Sequence, residues 1–296
     1  MAPSTRASST ADMTSARTTL FVDATRRFLR DRLAKTGLFI LLIVGTATVA
    51  APQLARFSPI QVDLTRTDSP PSAAHWFGTD DLGRDEFSRA LHAGRVSLSI
   101  GMLSAATAAV IGTAIGAIAG FYRGIIESAL MRFTDVILSI PSLPLVIVVS
   151  TIAKPSPFIL VLIIAGIGWM GTARLVRGAL LIIRETEYVE AARAIGCSNA
   201  RIILRYALPN SLAPVIVAAT LAVGNAIITE SVLSFLGVGI QPPTASWGNM
   251  LQDAESTMAT KPWLAIFPGL FILLSVLSVN AIGDGFRDAL DVRIKE

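Results

Sequence analysis

Residues 262–283 read PWLAIFPGLFILLSVLSVNAIG, a run of 22 residues without a charged side chain between Lys261 and Asp284. At about 1.5 Å per residue, a helix of this length extends about 33 Å, enough to cross the hydrocarbon core of a bilayer. Apolar and polar residues do not alternate along the run, which argues against a membrane-spanning β-strand. The run therefore predicts a transmembrane helix.

Five further runs have the same character. Four of them carry no charge, and the fifth carries a single one, Asp135, near its start. Together the six runs predict an all-α integral membrane protein with six transmembrane helices. The predicted spans are residues 37–55, 96–120, 133–153, 156–173, 211–229 and 262–283.

The composition agrees with a membrane protein and excludes other classes. Of 296 residues, 52% are hydrophobic and 16% are charged, with a mean hydropathy of +0.62, whereas soluble domains have about 25% charged residues. The net charge of +4 is explained by loop orientation in a membrane better than by nucleic-acid binding. Cys197, His75 and His92 form no metal motif. Because the sequence lacks a P-loop and the short hydrolase motifs, we expect neither a catalytic residue nor a cofactor in this chain.

The distribution of lysine and arginine predicts the orientation. With a cytoplasmic N-terminus, the cytoplasmic segments hold 18 of the 25 basic residues and the outer segments hold 7. The positive-inside rule therefore places both termini in the cytoplasm. The predicted organisation is a cytoplasmic tail with a short amphipathic segment (1–35), a first helix with an outer loop (36–94), and a five-helix core (95–296) containing the cytoplasmic loop 174–210.

This cytoplasmic loop has the pattern of two short helices. Three glutamates favour the N-terminal half of the first helix, and Gly196 is typical of the position just after a helix end. Ser198 can cap the second helix, which Pro209 is expected to end just before span five. Ala191 and Ala192 lack bulk, so the first helix can approach another protein surface. The residues alone leave open whether the loop docks a partner or is a solvated hairpin.

The loop also follows the longer pattern E-A-A-x₃-G-x₉-I-x-L-P, with Tyr206 in place of isoleucine. The pattern resembles the EAA loop of ABC importer permeases, and an aromatic residue at that position is similar to the peptide-permease branch. In that family the loop forms the helix that sits in a groove of the ATPase subunit. The resemblance implies that the following residues couple the chain to an ATPase: Glu190, Ala191, Ala192, Gly196, Leu208 and Pro209.

Two further stretches narrow the resemblance to one branch. Residues 75–85 read HWFGTDDLGRD, and residues 233–249 read LSFLGVGIQPPTASWGN. Both resemble signatures of the C-type subunit of dipeptide and oligopeptide permeases. The simpler interpretation of the first stretch is a capped loop in which Asp80 or Asp81 is the helix N-cap. The resemblance predicts docking of a binding protein, or shaping of the outer mouth, by His75, Trp76, Asp80, Arg84, Asp85 and Arg89.

The resemblance implies a type I ABC importer permease in a cell membrane, the subunit that forms half of the translocation path for di- or oligopeptides. The implied partners are a second, homologous permease, one or two ATPase subunits that bind ATP and Mg, and an extracytoplasmic substrate-binding protein. Related permeases carry nickel, glutathione or haem, and the sequence does not choose among these cargoes. The rivals from other classes are an ion channel and a secondary transporter, and the spans lack the paired carboxylates that favour the latter.

Glycines and prolines within the spans predict how the helices pack. Gly112, Gly116 and Gly120 lie on one face of span two, which favours close internal packing over contact with a partner subunit. Pro141 and Pro144 are expected to kink or break span three, because proline cannot continue the helical hydrogen-bond ladder.

Few polar residues fall within the spans. Asn225 and Asn280 lie near membrane depth, where such side chains bond between helices more often than they line a water-filled path. Both roles stay open, and we expect no metal site in this chain. Asp135 and Glu230 lie near predicted span ends, where a charge costs less than at the centre of a helix.

Overall fold

The computed structural model describes residues 25–153 and 156–290, so most of the predicted N-terminal tail and the last six residues lie outside it. The described residues form helices and loops with one isolated β-bridge, between Thr79 and Asp85. The helices are α1 (Arg32–Val49), α2 (Ala51–Leu54), α3 (Glu86–Tyr122), α4 (Ile125–Leu138), α5 (Ser142–Ala153), α6 (Pro157–Ile183), α7 (Glu187–Ala194), α8 (Asn199–Ile202), a π-helical turn (Ile203–Ala207), α9 (Leu208–Phe235), α10 (Trp247–Ala254) and α11 (Trp263–Leu290).

Five helical segments are long and apolar enough to cross a membrane, namely α1, α3, α6, the segment Asn199–Phe235 and α11. The pair α4 and α5 meets the same criterion but is bent by 85°. The bend lies at Pro141, between the two helices, and confirms the predicted break in span three. The described part of the chain thus holds five continuous candidate spans and one broken one.

Several helices extend beyond the predicted spans. The second span was predicted to begin at residue 96, but α3 begins at Glu86; the fourth was predicted to end at residue 173, but α6 ends at Ile183. Both extensions contain arginines. Hydropathy marks the part of a helix that suits hydrocarbon, whereas the helix itself continues into polar surroundings.

The broken span follows from the way α3 and α6 run side by side. These helices are parallel, since Gly112 lies against Trp169 and, further along, Gly120 lies against Leu180. Ile100 and Leu160 share a core cluster, so α6 starts about level with residue 100 of α3. From there to the end of α3 the helical rise is about 33 Å. The chain covers this height in the opposite direction through α4 and α5. These two helices together therefore act as one span, the third of six in chain order.

The glycine face of α3 packs directly on the backbone of α6. A Cβ atom added at Gly112 would lie 2.4 Å from the carbonyl oxygen of Trp169, and one added at Gly116 would lie 2.4 Å from that of Ala173. Since no side chain fits at these distances, the glycines are what allows the two backbones to approach. The predicted internal packing of this face is confirmed.

The helix bundle has two different ends. At one end, residues 56–85 and α10 form a folded unit, the cap; at the other, α7 and α8 form the hairpin. α3 begins at the cap and ends near the hairpin, where Arg123 pairs with Glu185. Phe28, near the start of the described residues, meets Phe286 in α11 at the hairpin end, where the two rings stack with centroids 4.8 Å apart.

The second helix of the hairpin does not end at Pro209, so that prediction is wrong. Helical residues continue from Asn199 through the π-helical turn and α9 to Phe235. In the turn, the N–H of Leu208 bonds to the carbonyl of Ile203, five residues back. Pro209, which lacks an N–H, directly follows this wider turn, so its interruption of the hydrogen-bond ladder falls where the ladder already departs from the α-helical pattern. The hairpin and span five are therefore one continuous helical segment.

We expect Gly116→Ala to destabilise the protein by about 1–3 kcal/mol, because the added methyl group meets backbone rather than a movable side chain. The matched control is Gly171→Ala in α6, where an added Cβ has nothing within 4 Å. That change should be neutral or stabilise the helix by about 0.5–1 kcal/mol. Thermal unfolding in detergent measures both. Equal effects of the two substitutions would show that the glycine contact does not hold α3 to α6.

Candidate functional sites at the two ends of the bundle

Asp85 organises the start of α3. One carboxylate oxygen accepts hydrogen bonds from the backbone N–H and the hydroxyl of Ser88, at 2.8 and 2.7 Å. The other oxygen lies 2.8 Å from His75 Nδ1. Asp85 is therefore the N-cap of α3. The prediction that Asp80 or Asp81 caps this helix is wrong.

Asp80 is instead the centre of a buried ion-pair network. Its carboxylate accepts from Arg84 Nε at 2.6 Å and also from Arg89. Both arginines reach a second carboxylate, that of Asp253, at 3.4 and 2.9 Å. Only 2% of Asp80 and 4% of Arg89 are exposed. Because Asp253 belongs to α10, this network joins three parts of the chain: the cap loop, the start of α3 and α10.

Burial limits what the predicted docking residues can touch. Arg84 keeps 11% of its side chain exposed and Trp76 is 47% exposed. The guanidinium of Arg56, an exposed residue outside the recognised motif, lies 4.2 Å from the centre of the Trp76 ring. A partner at this end can thus reach Trp76 and Arg56, whereas the buried residues shape the cap. The buried ones are His75, Asp80, Asp85 and Arg89.

The hairpin confirms the predicted turn. Gly196 follows α7 with φ of +80°, a left-handed conformation that favours glycine. The N–H of Cys197 bonds back to the carbonyl of Ala192 at 3.0 Å and closes the end of the helix. Ser198 then caps α8 by accepting from the N–H of Arg201. These local signals were sufficient to predict where α7 stops and α8 starts.

α7 has an inward and an outward apolar face. Val189 and Ala192 are buried, with 0% and 5% exposed, and pack on the bundle. The small size of Ala192 therefore brings α7 close to its own chain. On the outward face Tyr188 is 42% exposed, Ile195 is 79% exposed, and Ala191 is exposed between them. Tyr188 and Ile195 escaped the sequence analysis, although their spacing of three and four residues from Ala191 places all three on one helical face.

The hairpin is held to the bundle from several sides. Arg184 donates a hydrogen bond to the carbonyl of Phe121 at 2.9 Å, and the guanidinium of Arg193 lies 5.2 Å from the centre of the Phe121 ring. Leu208 is half-buried against the same core cluster. Glu190 and Pro209 are exposed. Of the residues predicted to couple to an ATPase, the exposed ones are Glu190, Ala191, Gly196 and Pro209.

The two asparagines of the spans have different surroundings. Asn225 lines a cavity of about 220 Å³ between α3, α5, α6 and α9, together with the hydroxyl-bearing residues Ser104 and Thr229. Asn280 does not line it; its side-chain oxygen faces α9 at Gly224. Asn225 can therefore line a translocation path, whereas Asn280 lies at the contact between α9 and α11.

These features define a class of protein. The chain is a multi-pass helical membrane protein with a folded cap at one end and a hairpin with an exposed apolar face at the other. Within residues 25–153 and 156–290, no group of His, Cys, Asp and Glu side chains could hold a metal ion.

Two family models match the sequence. Residues 112–296 match the binding-protein-dependent transport system inner membrane component, and residues 19–71 match the N-terminal transmembrane domain of oligopeptide transport permease C. The chain belongs to the family of binding-protein-dependent transport system inner membrane components, the permeases of type I ABC importers. It is a transport subunit of the cell membrane rather than an enzyme, as the sequence predicted.

Individual relatives cover nearly the whole chain. The dipeptide transport system permease protein DppC of Bacillus subtilis is 42% identical, over 92% of this chain and 86% of that protein. The oligopeptide transport system permease protein OppC of the same organism is 37% identical, over 94% and 91%. The glutathione transport system permease protein GsiD of Pectobacterium atrosepticum is 41% identical, over 91% and 90%.

We expect Asp80→Asn to destabilise the cap by about 3–5 kcal/mol, because it removes one of the two carboxylates that Arg84 and the buried Arg89 share and leaves Asp253 alone to balance both arginines. The adjacent Asp81 provides a matched control. Its side chain is 66% exposed, and partial desolvation together with the negative charges of Asp80 and Asp253 raises the pKa of its carboxyl. Its charge therefore adds little stability, and Asp81→Asn should change the melting temperature in detergent little. If Asp81→Asn lowered the melting temperature as much as Asp80→Asn, the central role of Asp80 in the ion-pair network would be contradicted.

Proposed function

We propose that this chain is a permease subunit of an ATP-driven importer for di- or oligopeptides and forms half of its translocation path. The relatives named as dipeptide and oligopeptide permeases support this cargo, since each aligns with more than nine-tenths of the chain. The relative named for glutathione supports a neighbouring possibility, because glutathione is itself a short peptide. Nickel and haem are the more distant alternatives.

The observation that carries the proposal is the outward face of α7. Tyr188, Ala191 and Ile195 expose apolar surface at an end of the molecule that is otherwise rich in charge. An exposed apolar helix face rimmed by polar residues is typical of a protein interface. We infer that this face enters a groove of an ATPase subunit, which binds the ATP and Mg. Glu190 and Gly196 border the face, while Ala192, Leu208 and Pro209 set its position.

The proposed orientation places the hairpin in the cytoplasm and the cap outside. It rests on the excess of basic residues in the segments at the hairpin end. The extracytoplasmic binding protein would then meet the cap, where Trp76 and Arg56 are exposed. A homologous permease completes the path, to which this chain contributes the cavity beside Asn225. The division into tail, first helix with outer loop, and five-helix core is part of the same proposal.

We expect Ala191→Trp to reduce association of the ATPase subunit by about 30- to 1000-fold, because bulk on the interface face costs about 2–4 kcal/mol of contact energy. The matched control is Ala259→Trp, the same change at an exposed position of the loop between α10 and α11. The measurements are copurification of the ATPase and uptake of a labelled tripeptide into vesicles that hold the reconstituted complex.

The wild-type complex and the Ala259→Trp complex should take up the tripeptide only when ATP is supplied on the hairpin side. Ala191→Trp should insert into the membrane normally but lose both ATPase copurification and uptake. Uptake driven by an ion gradient without ATP would favour a secondary transporter. Normal coupling in Ala191→Trp would mean that the docking site lies elsewhere.

A further inference from the structure

Glu230 is a buried acidic residue to which the proposed function assigns no role. Its position near a predicted span end suggested contact with a polar boundary, but α9 continues to Phe235 and 0% of Glu230 is exposed. No lysine, arginine or histidine in the described ranges forms an ion pair with it. An uncompensated charge in such a place is costly, so the surroundings favour a role in hydrogen bonding.

The carboxyl group of Glu230 reaches the loop that follows α9 through Ser234, one turn further along the same helix. The hydroxyl of Ser234 donates to Glu230 Oε1 at 2.8 Å and accepts from the backbone N–H of Ile240 at 3.0 Å. Ser97, in α3, lies beside the same group and accepts a hydrogen bond from the backbone N–H of Trp247 at 3.2 Å, whereas Glu230 Oε2 has no hydrogen-bond partner among the described residues. One carboxyl group thus stands where α9, α3 and the loop before α10 meet.

The backbone of residues 236–254 lies tightly against the same place. A Cβ atom added at Gly239 would lie 2.3 Å from Ser234 Oγ, and one added at Gly248 would lie 2.5 Å from the carbonyl oxygen of Ser231. Trp247 is fully buried and donates from its indole N–H to a carbonyl of α3 at 3.0 Å. We call residues 236–254 the return segment.

The other end of this helical segment is the hairpin. Helical residues run from Asn199 to Phe235 without a gap, about 55 Å at 1.5 Å per residue. Glu230 lies at the far end of this length, under the return segment. If the hairpin moves, the helical segment 199–235 therefore transmits the movement to the region of Glu230 and the return segment.

We propose that Glu230 is a positioning residue that fastens the return segment to α9 through Ser234, so that the two move as one body during transport. The fastening requires hydrogen-bonding atoms at the Glu230 position and no negative charge. The consequence for transport rests on the proposed function, whereas the fastening itself is a property of this chain alone. The rival role, a buried carboxylate that binds a cation or carries a proton, requires an ionisable group.

The fastening is tested with spin labels at Thr244→Cys and Ile228→Cys in a Cys197→Ser background, in the purified complex. Thr244 is in the return segment and Ile228 in α9, and both are exposed. The distance distribution should be narrow and unchanged by ATP with vanadate. Glu230→Leu and Ser234→Ala should each broaden it. Glu230→Gln keeps an oxygen that can accept from Ser234, so it should leave the distribution narrow. If Glu230→Leu does not fold, Ser234→Ala still carries the test.

The matched control is Ser275→Ala, which removes the hydroxyl of another fully buried serine, in α11, whose Oγ has no hydrogen-bond partner among the described residues. It should leave the distribution narrow. Distributions in Glu230→Leu or Ser234→Ala as narrow as in the wild type would overturn the proposal. A distribution as broad in Glu230→Gln as in Glu230→Leu would show that the charge matters and would favour the rival role.

A second readout addresses transport. Stimulation of ATP hydrolysis by a peptide-loaded binding protein should fall about tenfold in Ser234→Ala, the scale of one lost buried hydrogen bond, and should persist in Glu230→Gln. Full stimulation in Ser234→Ala with a broadened distribution would overturn the claim that transport needs the fastening. If the wild-type complex itself shows no stimulation, the proposed function fails, while the distance measurement still decides the fastening.

Discussion

The backbone contact between α3 and α6 is the constraint on which the rest of the structure depends. In a bilayer, apolar side chains gain little by leaving lipid, so helix association relies on close van der Waals packing. Gly112, Gly116 and Gly120 provide it, because no Cβ atom keeps the two backbones apart. Since these neighbouring helices run parallel, the chain must return across the membrane between them. It does so through α4 and α5, with the break at Pro141.

The packed pair of α3 and α6 runs between two ends with different chemistry. At the cap, the cost of burying charge is met by mutual pairing of Asp80, Arg89 and Asp253. At the hairpin, apolar surface is left exposed on α7. The continuous helical segment 199–235 connects the two ends directly. The proposed function uses this connection, because an event at an ATPase docked on the hairpin would have to change the accessibility of a path on the other side of the bilayer.

Local signals explain what the sequence could predict. The spans follow from hydropathy, the break from Pro141, and the end of α7 from Gly196, since each effect arises within a few residues. The errors concern tertiary partners. Asp80 has the chemistry of an N-cap, but two arginines occupy it, and Asp85 caps α3 instead. The burial of Glu230 depends on a return segment whose fold no local pattern reveals.

Opposite exposure of the cap and the hairpin is the central claim, and Cys197 offers a direct measurement of it. This half-buried thiol in the hairpin is the sole cysteine of the sequence. A membrane-impermeant maleimide should label it only when the reagent reaches the cytoplasmic face. Ala74→Cys in a Cys197→Ser background should be labelled only from the outer face. Labelling of both positions from the same face would contradict the account.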